Sequence, residues 1–147
     1  MARKKGKPKP RTFVLDGSIA LAWFFEDEAG DYAEAVENSL ISATAVVPSL
    51  WPLEVANGAL VGERRKRTTE AKATQFLSLL KSLPITVDDE TAARAWQETL
   101  QLARTHNLSV YDAAYLELAM RRDLPLASLD EDLKAAAAAV GVAEYKP

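Results

Sequence analysis

Four short apolar runs of β type are separated by stretches of helical periodicity, and this alternation constrains the fold more than any other feature of the sequence. The runs are Thr12–Leu15, Ala45–Val47, Leu83–Val87 and Leu124–Leu129, and Val142-Ala143 has the composition of a last short strand. Helices fill the intervals. They are expected over Ile19–Phe25, over Tyr32–Leu40, and from Ser49 as a cap past Leu60 towards Arg64. Thr68 or Thr69 opens another, with Ala73, Phe76, Leu77 and Leu80 facing inward; a long one follows from Asp89 to Thr105, one opens at Ser109, and Leu133–Val140 closes at Gly141. Strands separated by helices pair in parallel through right-handed crossovers. The expected architecture is therefore a three-layer α/β sandwich, a central parallel sheet of four to five strands flanked by helices.

The 147 residues, 48% of them hydrophobic, suffice for one buried core. Cysteine is absent and His106 is the lone histidine, which excludes a disulfide scaffold, a thiolate zinc site, a cysteine nucleophile and any multi-histidine metal site. No apolar run reaches the roughly 18 residues of a membrane span, and no secretory segment follows the basic start, so the expected compartment is the cytoplasm. Charge divides the chain in two. Residues 1–11 carry six of the eighteen basic residues and no acid, leaving twelve basic against twenty-one acidic residues, a net −9, over 12–147. Without large apolar side chains, residues 1–11 are read as a flexible basic tail, solubilising or in contact with phosphates, ahead of a domain over 12–147.

Within that acidic domain the placing of particular carboxylates matters more than their number. Asp16 ends the first apolar run and Asp130 the fourth, and open α/β sheets bind ligands outside the carboxyl ends of their strands where strand order reverses. Asp112 stands near a helix start. Glu54 lies inside a helix among Leu50, Leu53, Ala56, Leu60 and Val61, read as a largely buried surface on which an unpaired carboxylate is costly. One acid after a strand is an ordinary helix cap. Four converging acids repel one another, so such a site makes sense when a divalent cation neutralises it, and oxygen-only ligands select Mg²⁺ or Mn²⁺. The implied reaction is hydrolysis of a phosphodiester.

These acids stand in the segments Val14-Leu15-Asp16-Gly17-Ser18, Pro52-Leu53-Glu54-Val55-Ala56-Asn57, Val110-Tyr111-Asp112-Ala113-Ala114-Tyr115-Leu116 and Ala127-Ser128-Leu129-Asp130. The ordered set, over residues 12 to 143, resembles PIN-domain ribonucleases of the VapC toxin type. The resemblance implies a PIN-like α/β sandwich in which Asp16, Glu54, Asp112 and Asp130 are the acidic, metal-binding catalytic positions of an endoribonuclease using Mg²⁺ or Mn²⁺. Ser18 and Ser128 match hydroxyl positions beside the first and fourth acids, able to bond a carboxylate or a metal-bound water or equally to cap a strand-to-helix turn; Asn57, one helical turn beyond Glu54, is a further supporting candidate, and Asp132 is placed to reach the metal through water or to stand solvated. An RNA substrate, a cognate antitoxin whose C-terminal segment blocks the acidic pocket, and a homodimer are further implications. The basic tail lies outside the family pattern, and Gly17 replaces a commoner small or β-branched residue.

Arg64, Arg65, Lys66 and Arg67 can contact RNA phosphates or form a solvated helix end. Trp23, Trp51, Trp96, Phe24, Phe25 and Phe76 are read as core or interface residues and not as base-stacking platforms. His106 closes a helix with no evident partner and receives no catalytic part; Glu26-Asp27-Glu28 is read as a solvated loop and Glu117 as structural. A receiver-like binding module fits poorly, since Asp16 has no acidic neighbour and Pro48 follows the second run. A phosphotransferase of the dehalogenase type would want Asp-X-Asp where Asp16-Gly17-Ser18 stands. The remaining alternative is a PIN fold that has lost catalysis and only binds proteins.

Overall fold

The computed structural model describes residues 11–147. The tail expected over residues 1–11 therefore lies outside the described residues except for Arg11, whose guanidinium donates to the Lys146 carbonyl at 2.7 Å and lies 5.4 Å from the centre of the Tyr145 ring. Strands β1 (Thr12–Leu15), β2 (Thr44–Val47), β3 (Ile85–Val87) and β4 (Leu126–Ala127) form one parallel sheet in the order β3-β2-β1-β4. The fourth strand is shorter than the run that announced it. Pro125 has no N–H for the ladder, and beyond Ala127 the chain turns so that the Ser128 hydroxyl accepts from the Asp130 N–H at 3.0 Å. Val142-Ala143 forms no strand; a single parallel bridge joins Leu126 to Glu144.

Helices α1 (Gly17–Phe24), α2 (Asp31–Ser39), α3 (Trp51–Arg64), α4 (Glu70–Ser82), α5 (Thr91–Arg94), α6 (Leu100–His106), α7 (Val110–Arg122) and α8 (Glu131–Ala139) cover the sheet. The helix expected from Asp89 to Thr105 is thus divided, with a π turn over Ala95–Thr99 between α5 and α6. Ser49 does not cap α3: Leu50 holds that position, Pro52 sets φ in the first turn, and the Ser49 N–H donates to the Thr91 hydroxyl at 2.9 Å. Thr69 caps α4 by accepting from the Lys72 N–H, Ser109 caps α7, and Asp130 caps α8. Asn107, at φ 53°, ends α6 in the left-handed conformation that asparagine tolerates.

Phe13, Val14, Leu15, Ala45, Val46 and Val47 are all buried, the near-continuous apolar signature of parallel strands covered on both faces. Against them α7 packs Tyr115, Leu116, Leu118 and Ala119. From β1 the chain steps through β2 to β3 on one side, then crosses to β4 on the other side of β1. Strand order therefore reverses between the carboxyl ends of β1 and β4, where Asp16 and Asp130 emerge.

Close approach of α3 to the end of α1 depends on a glycine. A Cβ at Gly62 would lie 2.6 Å from Cζ of Phe25, whose ring is held between Phe24 and the Arg67 guanidinium, 4.1 Å from its centre. The Gly62→Ala variant should lose about 1–3 kcal/mol by overpacking, partly offset by the roughly 1 kcal/mol that alanine gains over glycine in a helix. Urea unfolding reads the net loss, and a variant as stable as the parent would refute this account of the contact.

Candidate active site

Asp16 leaves β1 in extended backbone and makes no side-chain capping bond to α1, so its carboxylate is free to serve elsewhere. It is 5% exposed. Its Oδ2 accepts from the Ser18 hydroxyl at 2.6 Å and from the Ser128 hydroxyl at 2.8 Å. Both serines pass the connection on, Ser18 accepting from the Leu129 N–H at 3.1 Å and Ser128 from that of Asp130. One carboxylate thus pins the start of α1 to the turn after β4.

Glu54, in the first turn of α3, accepts at Oε1 from the Tyr115 hydroxyl at 2.6 Å. The apolar surface expected around it is not buried: Leu53 is 75% exposed, and α3 turns Trp51, Val55, Ala59 and Gly62 inward instead. Glu54 is only half-buried, and the contact that orders it comes from Tyr115. That tyrosine was missed as a site residue, although its place three residues after Asp112 puts both on one face of α7. At Gly17 a Cβ would stand 3.6 Å from the Tyr115 hydroxyl and 3.8 Å from Glu54 Cβ, ordinary contact distances that leave room for a small side chain.

Asp112 lies half-buried in the first turn of α7, its N–H held by the Ser109 hydroxyl at 3.0 Å. Asp130 caps α8, its Oδ1 accepting from the Leu133 N–H at 2.8 Å. Burial raises the pKa of Asp16 against the opposing bonds from Ser18 and Ser128, and the charge of Asp130 raises it further. Burial likewise raises Glu54, opposed by the Tyr115 bond and reinforced by Asp16 and Asp112. Asp112 is raised by burial, then by Asp130 and Asp16, with Asp132 adding to the effect. Asp16 and Asp130, Glu54 with Asp16 and Asp112, and Asp112 with Asp130 and Asp16 thus feel one another's charge near the switch point. Burial also raises Tyr115, which keeps its hydroxyl protonated as a donor to Glu54.

Carboxylates whose pKa is raised by folding oppose folding at neutral pH, and their penalty fades as pH falls through the raised values towards the ordinary carboxylate range. A cation bound to the charged forms removes the same penalty. Adding Mg²⁺ or Mn²⁺ at pH 7 should accordingly raise the Tm of metal-free protein, with the gain shrinking as the pH is lowered into the titration range of these acids. Thermal unfolding across pH with and without the ion checks both parts; a metal response that grew on acidification would contradict them.

A second acidic group behaves differently. Carboxylate oxygens of Asp88, Asp89 and Glu90 lie within 4.8 Å of one another just after β3. Here arginines supply the counter-charge: Arg121 reaches Asp88 at 2.6 Å, Glu117 at 2.7 Å and Glu90 at 3.1 Å, and Arg94 adds a bond to Glu90 at 2.9 Å. Burial pushes Asp88 up, but the bonds and charge of Arg121 outweigh it and leave its pKa lowered. Among the described residues no salt bridge reaches Asp16, Glu54, Asp112 or Asp130.

Asn57 is exposed one turn beyond Glu54, and Asp132 is exposed in the first turn of α8. Arg64, Arg65 and Lys66 are exposed at the far end of α3, about 15 Å along its axis from Glu54. Arg67 instead binds Asp27 at 2.8 Å and Glu28 at 3.2 Å, so the expected solvated loop is a clasped 3₁₀ turn over Glu26–Glu28. Trp51 is buried and Trp23 donates to the Ala33 carbonyl at 2.7 Å, but Trp96, at 89% exposure on the π turn, is not a core residue. Glu117 is structural, as expected.

The structure is thus a parallel α/β fold with Asp16 and Asp130 at the strand ends where strand order reverses. The PIN domain family model matches residues 13–139, and the chain belongs to the PIN domain family. Within that family its likeness is to VapC-type members. It is 28% identical over 120 residues to Ribonuclease VapC3 of Pyrobaculum aerophilum, an alignment covering 82% of this chain and 90% of that protein. The crystal structure of PAE2754 from Pyrobaculum aerophilum shares the fold with a TM-score of 0.63 at 22% identity, over 90% of this chain and 83% of the other. Mycobacterium tuberculosis VapC20, described as a Sarcin-Ricin loop cleaving toxin, does so with a TM-score of 0.62 at 16% identity, over 92% and 99%. The expected sandwich and the resemblance to VapC-type PIN domains are both borne out.

Proposed function

We propose that this chain is the toxin of a toxin–antitoxin pair, an endoribonuclease that hydrolyses RNA phosphodiesters with Mg²⁺ or Mn²⁺ held by Asp16, Glu54, Asp112 and Asp130. The observation that carries the reading is four acidic side chains near the switch point that no cationic side chain among the described residues bridges. The donor set fits a hard ion, since every donor is oxygen. Mg²⁺ takes one or two carboxylates directly and keeps several waters, so it does not require all four acids as direct ligands. When bound, the ion supplies activation of water and neutralisation of charge on the phosphate.

The chain's own residues do the positioning. Ser18 and Ser128 fix Asp16 through Oδ2, and the bond from Leu133 fixes Asp130 through Oδ1. Tyr115 holds Glu54, and Asn57 and Asp132 stand at the rim. Groups that orient metal-binding carboxylates are commonly worth about 10–100-fold in affinity or activity. Tyr115→Phe should therefore weaken Mn²⁺ binding by roughly that factor, as measured by titration calorimetry; unchanged affinity would remove Tyr115 from the site.

The proposed partners are those implied by the likeness to VapC-type relatives, and the chain has surfaces that suit them. Arg64, Arg65 and Lys66 give RNA phosphates a cationic contact beyond the acidic crevice. A groove of about 810 Å³ with Phe24, Phe25 and Phe76 along it and Asp27, Arg67 and Lys72 at its rims suits an amphipathic antitoxin helix. Homodimer formation would cover exposed apolar side chains such as Leu53 and Trp96. Among the described residues no helix is long and apolar enough to cross a membrane, and cytoplasmic RNA is the proposed substrate pool.

The test is incubation of the purified chain with total cellular RNA in Mg²⁺ or Mn²⁺ and in EDTA. Discrete products that require the metal are expected. Intact RNA after treatment with folded, antitoxin-free protein would favour the inactive scaffold.

A further inference from the structure

Between the end of α6 and one face of α8 lies a cavity of about 300 Å³ that the acidic site does not use. Ala135, Ala136 and Ala139 line it from α8, joined at helical spacing by Asp132, and His106 and Asn107 form the opposite wall. Its position ties it to the acids. Asn107 ends α6 and leads into Ser109, which caps the helix bearing Asp112, while Asp132 lies in the first turn of the helix that Asp130 caps. Of its lining residues, Asn107 stands five positions before Asp112 and Asp132 two after Asp130.

We infer that this cavity is a subsite for one unpaired RNA base next to the scissile phosphate, selecting a base that carries an exocyclic amine. The inference rests on the ribonuclease reading and names where its sequence preference resides. The volume, at the lower end of small-ligand pockets, suits a single ring system. Alanine methyls give the α8 side a small apolar surface for the face of a base, and the imidazole of His106 offers a second face or a donor. Asn107 presents both a donor and an acceptor to a base edge, and the Asp132 carboxylate accepts from an amine. The same carboxylate repels phosphate, so a base and not the backbone is turned inward. Uracil offers Asp132 only its ring N3–H, and the two carbonyls that flank it repel the carboxylate.

The test uses Asn107→Gly, which removes the amide while keeping the left-handed backbone, and Ala135→Leu, which fills the cavity from an exposed position. Cuts made by the wild type in total RNA are mapped, and short oligonucleotides carrying the mapped site are made with each base at each flanking position. At one position the wild type should prefer amine-bearing bases over uracil by about tenfold or more in kcat/KM, the value of one good base contact. Both variants should lose that preference while unfolding at the temperature of the parent. Variants that keep the preference would overturn the subsite and leave the nuclease reading intact. Should the wild type not cleave, anisotropy of labelled oligocytidine against oligouridine decides: base-selective binding lost in both variants supports the subsite and overturns only the nuclease reading, whereas equal binding of the two oligonucleotides, or selectivity retained in the variants, overturns the subsite.

Discussion

Asp112→Asn is expected to lower RNA cleavage by about three orders of magnitude, because the charge stabilisation a catalytic metal provides is worth several kcal/mol, and to raise the Tm of the metal-free protein. The two effects share one cause. Burial, then the charges of Asp130 and Asp16, push the pKa of Asp112 up, so its charge at neutral pH is a cost to the fold that the proposed cation would offset. Asparagine keeps the shape and removes that charge. Its backbone N–H still binds Ser109, so the cap of α7 survives. Cleavage assays beside unfolding in EDTA check both parts. Activity within tenfold of the parent, or a fall in Tm, would mean that Asp112 serves the fold and not the chemistry.

Arg121→Ala is expected to cost about 3–5 kcal/mol of stability, the usual effect of removing one partner from a buried ion pair. Arg121 is the hub of its network: its side chain is 14% exposed, and it faces Asp88 and Glu117, whose side chains are 4% and 7% exposed. Removing it leaves two nearly buried carboxylates without their principal counter-charge. Arg121→Lys should recover only part of the loss, since one ammonium cannot reproduce the fork that meets Asp88, Glu90 and Glu117 together. The sign with pH is opposite to that of the active site. Asp88 and Glu90 have lowered pKa values, so their contribution is present above the ordinary carboxylate range and lost as pH falls through the depressed values. Urea unfolding of the two variants checks the ordering, and an alanine variant within 1 kcal/mol of the parent would refute the role assigned to Arg121.

What the sequence made legible was local. Thr12–Leu15 ending at Asp16, and Asp130 following the fourth apolar run, announced strand ends because a short apolar stretch stopped by an acid is visible within a few residues. The meeting of Ser128 with Asp16, 112 positions apart, and of Tyr115 with Glu54, 61 apart, is a product of strand order and helix placement. Ser128 was named through its neighbourhood to Asp130; Tyr115 stood in the segment around Asp112 but was given no part, because its partner Glu54 is distant in sequence. On α3 the conspicuous leucines misled. Leu53 and Leu60 face outward, while the close packing with α1 depends on Gly58 and Gly62, glycines too small to stand out in an apolar pattern, where an added Cβ would meet Leu21 and Phe25 at 2.6 Å. The π turn at Ala95–Thr99 carries no proline or glycine to announce it, and through it the exposure of Trp96 also escaped notice.

The most direct test of the central claim is the anomalous difference map of crystals grown with Mn²⁺. The account predicts a peak within coordination distance of the Asp16 and Asp112 carboxylates, in the crevice between the ends of β1 and β4, and no peak there in Asp112→Asn crystals. A peak at Asp88, Asp89 and Glu90 with none at the switch point would contradict it.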